Sequence, residues 1–238
     1  MPVWSRNGRT IFFGTGRNIY RVPADGSTAP QALFQQSPPD RLFPTSITRD
    51  EKLLLTQWDV TPRGEVRGLD LGPTPKPRPS LVTESGTQSD GHLSSDDRWL
   101  VYQAAPGGSP NRDIQIVARP FPGTEVRRVT ISSGPAYQPR WSHDDREIFY
   151  RIEDGTVMSV AVSRGPTPLD LTLGKPVRVV TPVNTIRDFS GPTYDVSPDG
   201  RRFLFIKAPE LDIRSLTVIL NWDVEVKAAI TAGGAASR

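Results

Sequence analysis

The sequence predicts an all-β protein built from repeated antiparallel units. Gly and Pro, 20 and 24 of the 238 residues, separate short apolar runs along the whole chain, as turns between strands do. A turn of the form Ser/Thr-x-Asp/Asn is followed each time by an apolar run with alternating side chains, which is typical of a half-buried strand. Because the turn recurs at similar intervals, the units are predicted to be copies of one structural repeat.

Five copies of this turn can be recognised. Their Ser or Thr residues are Ser5, Thr48, Ser94, Ser142 and Ser197, with spacings of 43, 46, 48 and 55 residues. A period in the forties with several strands per unit is typical of the four-stranded antiparallel blades of a β-propeller. We divide the chain into units at about 1–43, 44–89, 90–137, 138–192 and 193–230, and we expect a disordered tail at 231–238.

The first and innermost strand of each unit is predicted to end just before the Ser or Thr. The Asp or Asn two residues later favours a tight turn, because its short side chain can bond the local backbone. Asn7-Gly8 and Asp199-Gly200 are strong hairpin dipeptides. Asp97 and Asp145 stand where those two units carry glycine. We therefore expect their turns to avoid the positive φ that glycine permits.

The second strand follows the turn. The fourth and sixth residues after the Asp or Asn are Ile11 and Phe13, Leu54 and Thr56, Leu100 and Tyr102, Ile148 and Tyr150, and Phe203 and Phe205. Nine of these ten residues are apolar or aromatic, and the period of two places them on one face of a sheet sandwiched between blades. Trp4, Trp99 and Trp141 are also expected in the core.

The outer strands complete each predicted blade. Third strands are predicted at 18–22, 66–71, 113–118, 156–162 and 216–222, and shorter fourth strands at 31–34, 80–83, 125–131 and 176–181. The fifth unit offers no fourth strand, and 223–230 is predicted as a short helix. Since the first unit begins with its innermost strand, two possibilities stay open, a complete small propeller or the C-terminal part of a larger one. We expect the second.

The repeat resembles that of the TolB-like propellers over most of the chain, from 2 to 230. Units three to five are similar to the propeller region that follows the kinase domain in certain bacterial serine/threonine kinases. The resembling segments are 116–123 (Ile-Val-Ala-Arg-Pro-Phe-Pro-Gly), 138–142, 147–151, 194–205 and 218–222 (Val-Ile-Leu-Asn-Trp). Thr48 and Glu51 depart from the pattern. The resemblance implies a propeller in a bacterial signalling or envelope-associated protein, and it transfers no kinase activity.

The sequence predicts no catalytic activity and no cofactor or metal. It contains no Gly-x-Ser-x-Gly nucleophile elbow, no cysteine and two histidines, which argues against a serine hydrolase site and a zinc site. The adjacent acids Asp96-Asp97 and Asp144-Asp145 are interpreted as turn formers rather than as an acid/base pair. His143 is expected to be an exposed residue of its turn.

Polar residues are predicted on the innermost strands, which line the central channel of a propeller. His92 lies two residues before Ser94, and the corresponding residues of the other units are Val3, Ser46, Arg140 and Asp195. Such a set could bind a small ligand, although structural hydration of the channel is the simpler interpretation. Alanine at His92 and Arg140 would test a third hypothesis, that of an enzyme with its site in the channel.

A binding face is predicted where the loops lead into the inner strands, because function on repeated folds is carried by loops. The aromatic and arginine side chains expected there are Phe43, Trp58, Tyr137, Phe189 and Tyr194, with Arg41, Arg112, Arg140 and Arg187. Aromatic residues beside arginines are the usual anchors of protein interfaces. The alternative is that the aromatic residues pack between blades.

These observations predict a non-catalytic scaffold or sensor module that binds a protein or peptide. The formal net charge is +3 and the basic residues are dispersed, which argues against a nucleic-acid partner. No apolar run is long enough to span a bilayer. The alternative function is the propeller domain of a hydrolase similar to prolyl oligopeptidase, with its catalytic domain elsewhere in the protein. The compartment is cytoplasmic if Met1 is the natural start, and periplasmic or extracytoplasmic if the chain belongs to an exported or membrane-anchored protein.

Overall fold

The computed structural model is all-β in the residues that it describes, as predicted. These are residues 2–35, 41–60, 63–82, 84–106, 113–123, 127–165, 167, 170–181 and 192–207. Their strands form one antiparallel sheet for each of the five predicted repeats. In the first three sheets each strand pairs with the next one along the chain, which makes a simple meander, whereas in the fourth the last two strands both pair with the third. We call these four sheets blades.

The first blade contains β1 (Pro2–Trp4), β2 (Thr10–Gly14), β3 (Asn18–Pro23) and β4 (Gln31–Gln35). The second contains β5 (Arg41–Ile47), β6 (Leu53–Val60), β7 (Arg63–Asp70) and β8 (Lys76–Ser80). The third contains β9 (Thr87–Leu93), β10 (Trp99–Ala105), β11 (Gln115–Pro120) and β12 (Val129–Thr130). The fourth contains β13 (Ala136–Trp141), β14 (Glu147–Ile152), β15 (Val157–Arg164), β16 (Leu171–Leu173) and β17 (Val177–Val180), and both β16 and β17 pair with β15. The described part of the fifth repeat contains β18 (Tyr194–Val196) and β19 (Phe203–Phe205).

The outer strands deviate most from the predicted boundaries. β8 lies at Lys76–Ser80 instead of 80–83, and β11 at Gln115–Pro120 instead of 113–118. Most of β8 is exposed, and two of its five residues are proline. This edge strand is defined by its backbone pairing with β7, and it has no apolar pattern from which its bounds could be predicted. The predicted strand 216–222, helix 223–230 and tail 231–238 lie outside the described residues.

The turn between the first two strands has the same hydrogen bonds in all five repeats. In the third, Ser94 Oγ donates to Asp96 Oδ1 (2.7 Å) and accepts the Trp99 N–H (3.0 Å). Asp96 Oδ1 also accepts the Arg98 N–H (3.1 Å). The other four repeats repeat this set with their own Ser/Thr and Asp/Asn residues. The motif therefore fixes its own turn, which confirms the predicted role of its short polar side chains.

The prediction that Asp97 and Asp145 avoid positive φ is wrong. Their φ is 58° in both cases, and Glu51 at the same position of the second repeat has a φ of 57°. Gly8 and Gly200 occupy this position with a φ of 69°. The turn geometry is thus the same in every repeat, although a left-handed conformation costs a non-glycine residue about 1 kcal/mol.

Hydrogen bonds to the neighbouring blade explain why acidic residues occupy this left-handed turn position. Asp97 accepts the N–H of Arg49 on the preceding blade (2.6 Å), and Glu51 accepts that of Asn7 (3.2 Å). Asp145 accepts both the N–H (2.8 Å) and the hydroxyl (2.7 Å) of Ser95. A bond between an amide and a carboxylate is stronger than a neutral one, so it offsets the strain of the left-handed residue. We call these contacts the inter-turn hydrogen bonds.

Apolar clusters fill the space between successive blades. Trp141 packs with Trp99, Val101 and Ile116 of the third blade, and Leu93 packs with Leu55 of the second. Trp99 and Trp141 are buried, as predicted, but Trp4 is 55% exposed and its predicted core position is wrong. Trp4 lies on the side of the first blade that faces away from the second, and none of the apolar clusters of the described residues contains it.

Candidate functional site

The first strands of successive blades contact one another, β1 with β5, β5 with β9 and β9 with β13. They are therefore the inner strands of the arrangement, as predicted. Two of them carry a bulge at the same place, four residues before the motif serine, where Asp90 (φ 51°) and Gln138 (φ 58°) adopt left-handed conformations. Both side chains are buried.

Glutamine side chains of the second strands bond these bulges across the blade junctions. Gln57 Oε1 accepts the Asp90 N–H (3.2 Å), and Gln103 Oε1 accepts the Gln138 N–H (2.6 Å). In the next junction Gln138 Oε1 accepts the N–H of Thr193 (3.2 Å). Sequence reasoning missed Gln57 and Gln103, although both stand nine residues after the motif Ser or Thr, and that shared offset was the available signal.

Replacing Gln103 by methionine, which keeps the length of the side chain, is expected to lower the free energy of unfolding by about 1–2 kcal/mol. The buried Gln138 N–H loses its acceptor, and Ser89 Oγ loses the bond from Gln103 Nε2 (2.6 Å). Urea denaturation measures the change. Gln31 is exposed, so Gln31→Met serves as the control and is expected to have a much smaller effect. Equal effects of the two substitutions would contradict the inter-blade role of Gln103.

Ser46 and His92 occupy the predicted channel position and also bond the next blade. Ser46 Oγ accepts the Leu93 N–H (3.2 Å), and His92 Nδ1 accepts the Trp141 N–H (3.4 Å). Because Nδ1 accepts, neutral His92 carries its proton on Nε2. Burial, with the positive charges of Arg140 and Arg6, holds the pKa of His92 well below its usual value. His92 is thus a neutral structural acceptor with one remaining donor.

A polar cluster forms around Arg140. The Arg140 guanidinium is buried and donates to the carbonyl oxygen of Pro139 (2.8 Å), and its charge acts on Asp90, His92 and Tyr194. Asp90 was not predicted from the sequence. Its buried Oδ1 has no hydrogen-bond partner among the described residues. Burial raises the pKa of Asp90 to about 6, Arg140 lowers it in part, and Asp59 raises it.

Three of the predicted site residues lie in this polar cluster, and the others that the structure describes lie outside it. Arg140, His92 and Tyr194 lie in the polar cluster, where the buried Tyr194 hydroxyl donates to the Gln138 carbonyl oxygen (2.9 Å). Asp195 is exposed and accepts the N–H of Val196 (2.9 Å).

The remaining predicted aromatic residues lie elsewhere. Phe43 is buried on β5, and Trp58 is buried in the cluster between the first two blades, with the Arg67 guanidinium 4.5 Å from its ring centre. Tyr137 is partly buried on β13, and His143 is exposed in its turn, as expected. Arg187, Phe189 and Arg112 lie outside the described residues, so the predicted face stays a prediction there.

Two further properties bear on the chemistry of the site. No group of three His, Cys, Asp or Glu side chains that could hold a metal ion occurs in the described part of the chain. The described residues also contain no helix long and apolar enough to cross a membrane. The side chains of the cluster offer hydrogen bonding, with donors on Arg140 and His92 and an acceptor on Asp90.

No family model matches the sequence, and no curated protein matches it. Solved structures do match. A TolB-type protein of Agrobacterium tumefaciens aligns with a TM-score of 0.58 and 15% identity, over 86% of this chain and 73% of that one. TolB of Acinetobacter baumannii aligns with a TM-score of 0.53 and 17% identity, over 74% of this chain and 42% of that one.

A third solved structure has a similar fold. Prolyl oligopeptidase B of Galerina marginata aligns with a TM-score of 0.50 and 13% identity, over 67% of this chain and 24% of that one. At such identities a likeness shows the fold alone, and this chain spans less than half of the Acinetobacter TolB. Together with the repeated meanders and their turns, these likenesses establish that the chain has the β-propeller fold and that TolB proteins are among its structural neighbours.

Proposed function

We propose that the chain is a non-catalytic propeller module, a scaffold or sensor, that binds a protein or peptide where the inner strands of the third and fourth blades meet. The observation that carries the proposal is the pair of Asp90 and Arg140. The carboxyl oxygen of Asp90 lacks a donor among the described residues, and the buried Arg140 guanidinium bonds a carbonyl oxygen of its own strand. A buried polar group without a protein partner calls for an explanation, and beside a buried guanidinium we propose that a bound partner supplies it.

A peptide has the chemistry to complete this pair. Its amide N–H can donate to Asp90 Oδ1, and its carbonyl or carboxylate oxygen can accept from Arg140. His92 Nε2–H supplies a second donor beside them. The neighbouring bulge holds Asp90 in a left-handed conformation, so the carboxyl group is positioned before a partner arrives. In this proposal, the residues of the predicted face form a rim around the inner site.

We further propose that the module is the C-terminal part of a larger kinase-linked or envelope-associated bacterial protein. The resemblance of segments 116–123 and 194–205 to the propeller region of bacterial serine/threonine kinases supports this proposal. The reading frame on both sides of the coding sequence tests it. Kinase motifs upstream would support it, whereas a nucleophile elbow downstream would favour the hydrolase alternative.

Peptide selection tests the binding proposal directly. A random peptide library displayed on phage is selected against the purified chain, and the affinities of the selected peptides are measured for the wild type and for Arg140→Ala. Loss of Arg140 is expected to weaken binding at least about tenfold, the equivalent of about 1.4 kcal/mol. Arg78→Ala is the matched control, since Arg78 pairs with Asp70 on the outer strands of the second blade (2.7 Å). Peptides that bind both variants equally would overturn the proposed site.

A further inference from the structure

The bonds that repeat between the inner strands separate the structural polar side chains from Arg140. At the channel position, Ser46 and His92 each accept a backbone N–H of the following blade. Arg140 occupies this position in the fourth blade, but a guanidinium has no acceptor. The Val196 N–H of the fifth repeat is bonded instead by Asp195 of its own repeat (2.9 Å). Arg140 therefore takes no part in the inter-blade bonds of this position.

The bulge position shows a similar difference between two blades. In the fourth blade, Gln138 Oε1 accepts the N–H (3.2 Å) and the hydroxyl (3.1 Å) of Thr193 in the next repeat. In the third blade, the same position holds Asp90, whose buried Oδ1 has no hydrogen-bond partner among the described residues. A glutamine amide does not titrate, whereas a carboxyl group gains and loses a proton. The third blade thus has a titratable acceptor where the fourth has a structural one.

The separation of Asp90 from Arg140 makes the carboxyl group responsive to protons. The guanidinium donates to the Pro139 carbonyl oxygen (2.8 Å), and no hydrogen bond joins it to Asp90 among the described contacts. Burial therefore outweighs the attraction of Arg140 and raises the pKa of Asp90 to about 6, and the charge of Asp59 on β6 adds to the rise. Asp90 is accordingly protonated in mild acid and charged at neutral pH.

The other charged groups around β9 leave Asp90 as the group of this cluster that titrates near pH 6. Burial lowers the pKa of His92 well below its usual value and raises the pKa of Tyr194, so both side chains stay neutral there. The charged side chains described on the remaining strands packed against β9 are paired or exposed, and they are Glu65 with Arg67, Asp70 with Arg78, and Arg41.

We propose that a peptide bound at the Asp90–Arg140 pair displaces the proton of Asp90, so that mild acid releases the peptide. This inference rests on the peptide-binding function proposed above. A peptide N–H that donates to Asp90 Oδ1 stabilises the carboxylate and so lowers its pKa in the complex. Because Asp90 is already buried, the peptide adds little desolvation that would oppose this change. Binding therefore releases a proton to the solvent, and by reciprocity a returning proton weakens binding.

Isothermal titration calorimetry in two buffers with different heats of ionisation counts the protons released. The ligand is a phage-selected peptide with blocked termini and without His, Asp or Glu. Its affinity for the wild type is expected to be about tenfold weaker at pH 5 than at pH 7, with release of about half a proton per peptide at pH 6. Asp90→Asn has no such proton, so its affinity is expected to be equal at both pH values. Asp25→Asn, at an exposed carboxyl group of the first blade, is expected to behave like the wild type.

The outcomes distinguish this inference from the function on which it rests. If no peptide is selected, or if Arg140→Ala binds the peptides as well as the wild type, the proposed function fails and the proton coupling fails with it. A peptide that requires Arg140 but binds equally at pH 5 and pH 7 overturns the proton coupling alone. So does binding that strengthens in acid, since Asp90 would then donate its proton to the peptide, or a pH dependence that survives in Asp90→Asn.

Discussion

Replacing Asp145 by alanine is expected to lower the free energy of unfolding by about 3 to 4 kcal/mol. The buried carboxylate accepts the N–H and the hydroxyl of Ser95 on the preceding blade, and its Oδ2 lies 3.2 Å from Arg164 Nη2. Alanine leaves the Ser95 N–H and the Arg164 guanidinium without this partner. It also retains the left-handed strain, because φ is 58° at this position. Urea denaturation of the purified variants measures the loss.

Two further substitutions in this turn separate the effect of the hydrogen bonds from that of the backbone strain. Asp145→Gly relieves the left-handed conformation and is expected to be about 1 kcal/mol less damaging than alanine, while still less stable than the wild type. Asp144→Ala is the matched control in the same turn, because Asp144 bonds only its own turn residues Ser142 and Arg146 in the described structure. The inter-turn role of Asp145 would be refuted if alanine at 144 and at 145 cost the same, or if glycine equalled the wild type.

Asp90→Asn is expected to stabilise the protein at pH 8 by about 3 kcal/mol and to have little effect near pH 4. Burial raises the pKa of the folded-state carboxyl to about 6, above its ordinary value of 3.8. The folded protein therefore binds this proton more tightly than the unfolded chain does. Stability from this group is fully present below about pH 4 and is lost as the pH rises through about 6. Asparagine resembles the protonated form and avoids the loss.

Urea denaturation of the wild type and Asp90→Asn at several pH values measures this difference. His92 acts in the opposite direction, because its pKa is lowered by burial and its protonation in the unfolded chain lowers stability below about pH 6.5. Both proteins contain His92, so the difference between them isolates Asp90. Asp25→Asn is the control, since the Ser27 N–H lowers the pKa of Asp25 and the sign of the effect is reversed. If the difference in unfolding free energy between the two proteins did not change with pH, this would contradict a raised pKa of the buried Asp90 carboxyl.

The turns and the blades could be predicted from the sequence because their causes are local. Ser94 and Asp96 bond residues within five positions, and the alternation of Leu100 and Tyr102 follows from the geometry of a single strand. The expected polar character of the inner strands also held, since Ser46, His92 and Arg140 lie there. The polar cluster around Arg140 therefore lies on strands that the sequence had marked as polar.

The remaining features depend on residues far apart in the chain. Asp97 and Asp145 adopt left-handed turns because of acceptor roles toward Arg49 and Ser95, 48 and 50 residues away. Local propensity gives no sign of such partners, so it favoured a different turn. Asp90 escaped prediction because its place depends on a bulge bonded by Gln57 of another blade. Trp4 matches the core pattern of its repeat, yet burial requires a neighbouring blade on its side.

During synthesis on the ribosome, the inter-turn hydrogen bond of a blade cannot form until the turn of the next blade has been made. The acceptors of the Asn7, Arg49 and Ser95 amides are made 44, 48 and 50 residues later. At about 5–20 residues per second, each of these amides stays without its carboxylate for roughly 2 to 10 s. The inter-turn hydrogen bonds therefore form in order from the N-terminus during synthesis. A nascent chain that stops before the turn of one blade leaves the turn amide of the previous blade without its carboxylate.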